Sequence, residues 1–205
     1  MIRVDLQPVP NDFDNIIREP GMKFLATTPH PTQAQWKSHD YWSRVKEELY
    51  DSYQHVCAYS CHWIPPEGSR TCDHFIPKDR KPTLAYEWKN FRLMCGVLNG
   101  RKQNRTDLLD PFRIQDAWFT LEFPSLLVFP NDTLSAYLSK RVQTTINVLK
   151  LNDDGTCRAT RRHWLRAYCT QGIPIDFLRS MAPFLTKELE RQNLVSTIAS
   201  IMQFK

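Results

Sequence analysis

The sequence predicts an α+β protein, and three observations carry that reading. Residues 71–76 and Phe91–Cys95 are short, largely apolar segments that read as strands. Between them lies a stretch with Pro77, Pro82 and several charges, the composition of a loop folded back on itself. A candidate helix over 96–105 follows the second strand directly, and the last third of the chain carries apolar residues at helical spacing.

Taken in order, residues 1–37 hold Pro8, Pro10, Pro20, Pro29 and Pro31 without steady periodicity, which predicts a loop-rich arm. Ser38 is placed to cap a helix through about residue 54, with Tyr41, Trp42, Val45, Leu49 and Tyr53 on one face. Residues 55–64 are rich in aromatic and β-branched types and read as an extended segment ending at Pro65 and Pro66. Gly96 and Gly100 each weaken the following helix by roughly 1 kcal/mol relative to Ala, so packing or a bound ion must hold it.

Further strands are expected over 117–123 and 126–129, separated by Pro124. Asp132 or Thr133 can cap a helix whose apolar face is Leu134, Leu138, Val142, Ile146 and Leu149, closed by the turn 152–155. Another helix covers about 157–170, and Pro174 and Pro183 suit the first turns of the last helical pieces. The division expected is 1–54 as an N-terminal arm and helix, 55–112 as a catalytic core, and 113–205 as a helical region of the same domain.

No apolar run of about 18 residues is present, so no membrane partner is expected. The N-terminus lacks a signal-peptide pattern, which predicts a cytoplasmic protein. A net charge of +5 suits a polyanionic partner without proving one. In that setting the six cysteines favour burial or metal binding over disulfides. The six tryptophans read as core residues, and Arg158, Arg162 and Arg166 share one helix face, a stripe that fits a nucleic-acid backbone but is read first as a solvated or acid-paired face.

Residues 71–104 concentrate the chemistry. Hydrolysis of a phosphodiester needs a base for water, a cation for the phosphate charge and stabilisation of the departing alkoxide. Neighbouring strand residues face opposite ways, so Asp73 can hold a metal while His74 takes a proton from water. Asn99 offers an uncharged oxygen to the same ion, a donor set suited to Mg²⁺ or Mn²⁺. Lys78, Arg101 and Lys102 are candidate nucleic-acid contacts.

The order Asp73-His74-Phe75-Ile76-Pro77-Lys78, Tyr86-Glu87-Trp88-Lys89-Asn90, Leu93-Met94-Cys95 and Leu98-Asn99-Gly100-Arg101-Lys102 resembles the HNH endonucleases. It is most similar to the branch serving as nuclease component of bacterial anti-phage systems, the PtuB-like nucleases of Septu and of certain retrons. The motifs cover about residues 57–105, and the segments 13–25 and 141–152 carry a less specific likeness. The resemblance implies a ββα-metal core in which His74 is the general base, Asp73 and Asn99 hold a catalytic Mg²⁺ or Mn²⁺, and Asn90 pins the loop and orients the imidazole. It implies DNA or RNA as substrate, products with a 5′ phosphate and a 3′ hydroxyl, and a possible partner ATPase or other defence-system subunit.

Many members also carry two Cys-x-x-Cys knuckles for structural zinc. Here Cys57, Cys61 and Cys95 supply three thiolates and Leu98 stands at the fourth place, so buried cysteines are expected rather than zinc. The alternatives to an autonomous nuclease are a non-catalytic nucleic-acid-binding module on the same fold and a nuclease silent without its ATPase or retron complex.

Overall fold

The computed structural model describes residues 1–204. The chain mixes helices with two small antiparallel sheets, as the α+β expectation requires. It divides into two compact units that interleave in sequence: a central unit of Asp5–Val56 and Ile64–Thr106, and a helical unit of Met1–Val4, Cys57–Trp63 and Asp107–Lys205.

In the central unit the arm is less loop-like than its prolines imply. A π-helical turn, Asp14–Arg18, runs into α1 (Glu19–Thr27), and α2 (Gln33–Ser38) follows. Pro20 stands where the π-helical turn passes into α1, and the Ile16 carbonyl four residues before it accepts instead from Arg44 Nη1 at 3.0 Å; Pro29 and Pro31 precede the Thr32 cap of α2. Thr32 accepts from the Gln35 amide while the Gln35 side chain accepts from Thr32 N at 2.8 Å, a complete capping box.

Ser38 therefore ends a helix rather than starting one, its hydroxyl donating to the Ala34 and Gln35 carbonyls. The expected single helix is split into a 3₁₀ turn, Tyr41–Val45, and α3 (Lys46–Ser52), although Val45, Leu49 and Tyr53 are buried as the periodicity requires. Phe13 anchors the arm, fully buried with its ring 5.7 Å from Trp88 and 5.9 Å from Phe91. Trp88 Nε1 in turn donates to the Gln7 carbonyl at 2.8 Å.

Strands β1 (Arg70–His74) and β2 (Phe91–Cys95) pair antiparallel, with Asp73 opposite Arg92 and His74 opposite Phe91. Helix α4 (Gly96–Lys102) leaves β2 without a linker and stops at Gln103, whose φ of 49° breaks the helical path. This strand–loop–strand–helix run carries Asp73, His74, Asn90 and Asn99.

In the helical unit, 57–63 forms a tight turn in place of the expected extended segment, with Cys57 N donating to His62 O and Cys61 N to Cys57 O. Strands β3 (Phe119–Leu121) and β4 (Val128–Pro130) are shorter than their apolar runs. The cap of α5 (Ala136–Leu149) is Ser135, not Asp132 or Thr133, because the Thr133 amide and hydroxyl both donate to Asn131 Oδ1 in the preceding turn. Helices α6 (Cys157–Gln171), α7 (Ile175–Met181), α8 (Pro183–Arg191) and α9 (Ile198–Met202) complete it. Among the described residues no helix is long and apolar enough to cross a membrane.

Two helical glycines separate a packing role from simple tolerance. A Cβ on Gly21 would lie 2.2 Å from the Tyr86 ring, whereas one on Gly100 would meet nothing within 4 Å. Urea denaturation should find Gly100→Ala more stable than wild type by about 0.5–1 kcal/mol and Gly21→Ala less stable. Equal effects at the two positions would contradict the packing of α1 on Tyr86.

Candidate active site

A cleft of about 270 Å³ in the central unit is lined by Trp42, Cys72, Asp73, His74, Pro77, Lys78, Asn99, Gln103 and Asn104. Asp73, His74 and Asn99 are thus brought to one cavity from β1 and α4.

Asp73 is 4% exposed, and its two oxygens have different surroundings. Oδ1 accepts a hydrogen bond of 2.9 Å from the Lys102 ammonium, while Oδ2 is buried with no hydrogen-bond partner. Burial pushes the carboxyl pKa up, and the charge and hydrogen bond of Lys102 and the charge of Arg92 pull it back. An orphaned carboxylate oxygen in a cleft is a fitting ligand for a hard cation.

Asn99 adds a second oxygen. Thr71 Oγ1 donates to the Met94 carbonyl at 2.7 Å, so it can only accept from Asn99 Nδ2, at 3.0 Å. That fixes the amide with Oδ1 as the end not engaged by Thr71. Asp73 Oδ2 and Asn99 Oδ1 are the oxygens that would hold a hard cation such as Mg²⁺ or Mn²⁺ here.

His74 is set as a base. Its Nε2 lies 2.8 Å from the Ala85 carbonyl, which can only accept, so Nε2 carries the proton and Nδ1 the lone pair. The ring is held edge to face by Trp42, at 4.8 Å, and by Phe91, at 5.3 Å. Burial lowers its pKa from 6.5 to about 4, with Lys78 and Lys102 lowering it further and the Ala85 bond and Asp79 opposing. The imidazole is accordingly neutral at physiological pH.

Asn90 holds the loop between the strands rather than lining the cleft. Its Oδ1 accepts from Ile76 N at 2.9 Å, and Nδ2 donates to Ile76 O at 2.9 Å and Leu84 O at 3.1 Å. Because Ala85 follows Leu84, this clamp also sets the carbonyl that orients His74.

The three basic residues part company. Lys78 lines the cleft with its ammonium over the Trp36 and Trp42 rings, at 5.9 and 5.6 Å. Arg101 is half-buried on α4 and is not among the lining residues. Lys102 departs from the expected surface contact: it is 1% exposed and donates to Asp73 Oδ1 and, at 2.7 Å, to the His74 carbonyl. Its place in the last turn of α4, directly beside β1, turns the side chain inward.

Trp42, Cys72, Gln103 and Asn104 also line the cleft and were not singled out from sequence. Adjacency to Asp73 was the available signal for Cys72, and the α4 terminus for Gln103 and Asn104. Of the cysteines in the incomplete zinc pattern, Cys57 and Cys61 are buried in the helical unit and Cys95 is half-buried in the central one. Among the described residues no three His, Cys, Asp or Glu side chains gather to hold a metal. On α6, Arg158 and Arg162 both pair with Asp154, at 2.7 and 3.5 Å, so two of the three stripe arginines are acid-paired.

The depressed His74 pKa fixes a sign. The unfolded chain binds a proton near pH 6.5 and the folded one only near pH 4, so His74 favours folding above 6.5 and that contribution is lost as pH falls toward 4. The loss amounts to roughly 3 kcal/mol. Nitrogen-15 NMR should find the Nε2–H tautomer down to about pH 4, with denaturant stability declining across that window; a His74 midpoint near 6.5 would contradict the buried, neutral ring. Asn90→Ala should cost about 2–4 kcal/mol of stability by the same denaturation assay, since three hydrogen bonds go with it. No family model matches this chain, and no curated protein matches it in sequence, so the candidate site rests on its own geometry.

Proposed function

We propose that the central unit is a metal-dependent nuclease of the HNH type, with β1, β2 and α4 as its ββα-metal core, that hydrolyses phosphodiester bonds in nucleic acid. The observation that carries the reading is the cleft in which Asp73 Oδ2 lacks a partner beside Asn99 and a His74 whose Nδ1 carries the lone pair. Held by Asp73 and Asn99, a Mg²⁺ or Mn²⁺ ion would supply Lewis-acid charge for phosphate hydrolysis. His74 Nδ1 takes a proton from water, whose oxygen attacks phosphorus, and the P–O3′ bond breaks to leave a 5′ phosphate; the 3′ alkoxide takes a proton from solvent water to become a 3′ hydroxyl, and His74 returns its proton to solvent. Asn90 and Ala85 hold the imidazole in line, and Lys78 offers charge to the incoming phosphate.

Resemblance to the PtuB-like branch extends the proposal to an effector of bacterial anti-phage defence, working in the cytoplasm beside an ATPase or retron partner. Plasmid, single-stranded DNA and RNA, each incubated with Mg²⁺ or Mn²⁺, test the chemistry. His74→Ala should slow cleavage by about 10²–10⁴-fold while thermal unfolding stays cooperative. Asp73→Asn is the informative ligand variant, because it keeps a hydrogen-bond acceptor for Lys102 while removing the carboxylate charge, so it should weaken metal binding, at some cost in stability from the Lys102 ammonium left without its counter-charge. Binding without cleavage under every metal tried, with and without the ATPase, would instead identify a non-catalytic nucleic-acid module.

A further inference from the structure

Lys102 places a buried positive charge behind the cleft, on the Asp73 carboxylate that lines it. Its ammonium is 2.9 Å from Asp73 Oδ1 and 2.7 Å from the His74 carbonyl, and at 1% exposure it has no route to solvent. The carboxylate that would hold a divalent ion is therefore already matched by one cation. Lys78, in the cleft lining, adds a second cation. Asp79 supplies a second carboxylate at the exposed rim, where it accepts from Gln33 and Asn104. Two cations, Lys102 and Lys78, thus stand against the two carboxylates Asp73 and Asp79 before any ligand arrives.

A bare divalent ion surrenders hydration to enter a site, and here it meets no net negative charge in return. A phosphodiester anion meets the opposite condition. We infer that the cleft is an anion site before it is a cation site: a nucleic-acid phosphate binds the metal-free protein, and its charge, added to Asp73 Oδ2 and Asn99, retains the divalent ion. The inference rests on the nuclease reading of the same cleft and adds an order of binding to it. Lys102 is on this view a positioning residue. It orients Asp73 so that Oδ2 is left for the ion, and it tunes the charge that makes ion binding depend on substrate.

Electron paramagnetic resonance of Mn²⁺ tests the order directly. Wild-type protein is titrated with Mn²⁺ alone, with a phosphorothioate oligonucleotide tested as DNA and as RNA, and with the uncharged methylphosphonate analogue; Asp73→Asn supplies the background. Mn²⁺ should bind roughly tenfold or more tightly with the charged oligonucleotide than without it, the methylphosphonate should give no gain, and by linkage Mn²⁺ should tighten oligonucleotide binding by the same factor. The charged oligonucleotide should also bind in EDTA. Lys102→Met should bind Mn²⁺ alone more tightly and the oligonucleotide in EDTA more weakly; if that variant fails to fold, the wild-type titrations decide. Equal Mn²⁺ affinity with and without oligonucleotide, alongside metal-dependent cleavage, would overturn the binding order and leave the nuclease reading standing. No Mn²⁺ binding in any arm and no cleavage would overturn both.

Discussion

The buried bond between Lys102 and Asp73 is the constraint on which the rest of the cleft depends. It joins the end of α4 to β1, and through the His74 carbonyl it also fixes the backbone of the next residue. Removing one member of such a pair strands a charge in a medium that cannot solvate it, at a cost of about 3–5 kcal/mol. The pair is thus a structural lock. It is also an electrostatic device, because it occupies one carboxylate oxygen and leaves the other without a partner.

Around this lock the central unit separates support from chemistry. Asn90 works entirely on backbone, closing the loop that ends in the Ala85 carbonyl, and that carbonyl selects the tautomer of His74. Trp42 and Phe91 pack edge to face on the ring, and its burial keeps the imidazole neutral. A neutral ring of low basicity becomes a stronger base when an anion approaches, so a phosphate entering the cleft would strengthen the proposed base and the ion site together.

The parts of this arrangement set by local sequence were legible beforehand. Asp73 and His74 stand together at the end of β1, Asn99 follows on a helix that begins where β2 ends, and β2 fell where its apolar run placed it; strand alternation alone would have put Asp73 and His74 on opposite faces. The Asn90 clamp was likewise anticipated as a tether. Features set by packing were not. A lysine in the last turn of a helix reads as solvated surface, and only the course of α4 beside β1 turns Lys102 inward. Trp42 was read as a core position on a continuous helix, but the chain breaks into a 3₁₀ turn there and puts its ring against His74. The caps failed for a related reason: Ser38 and Thr133 are both plausible caps in isolation, and each is engaged by neighbouring groups instead.

The most direct test of the proposed chemistry is the anomalous scattering of Mn²⁺ in crystals grown with an uncleaved oligonucleotide. One peak should lie bonded to Asp73 Oδ2, Asn99 Oδ1 and a phosphate oxygen, with Lys102 still on Asp73 Oδ1 and His74 Nδ1 facing a water in line with the scissile bond. A peak remote from Asp73, or an oligonucleotide bound with no ion at the cleft, would contradict it.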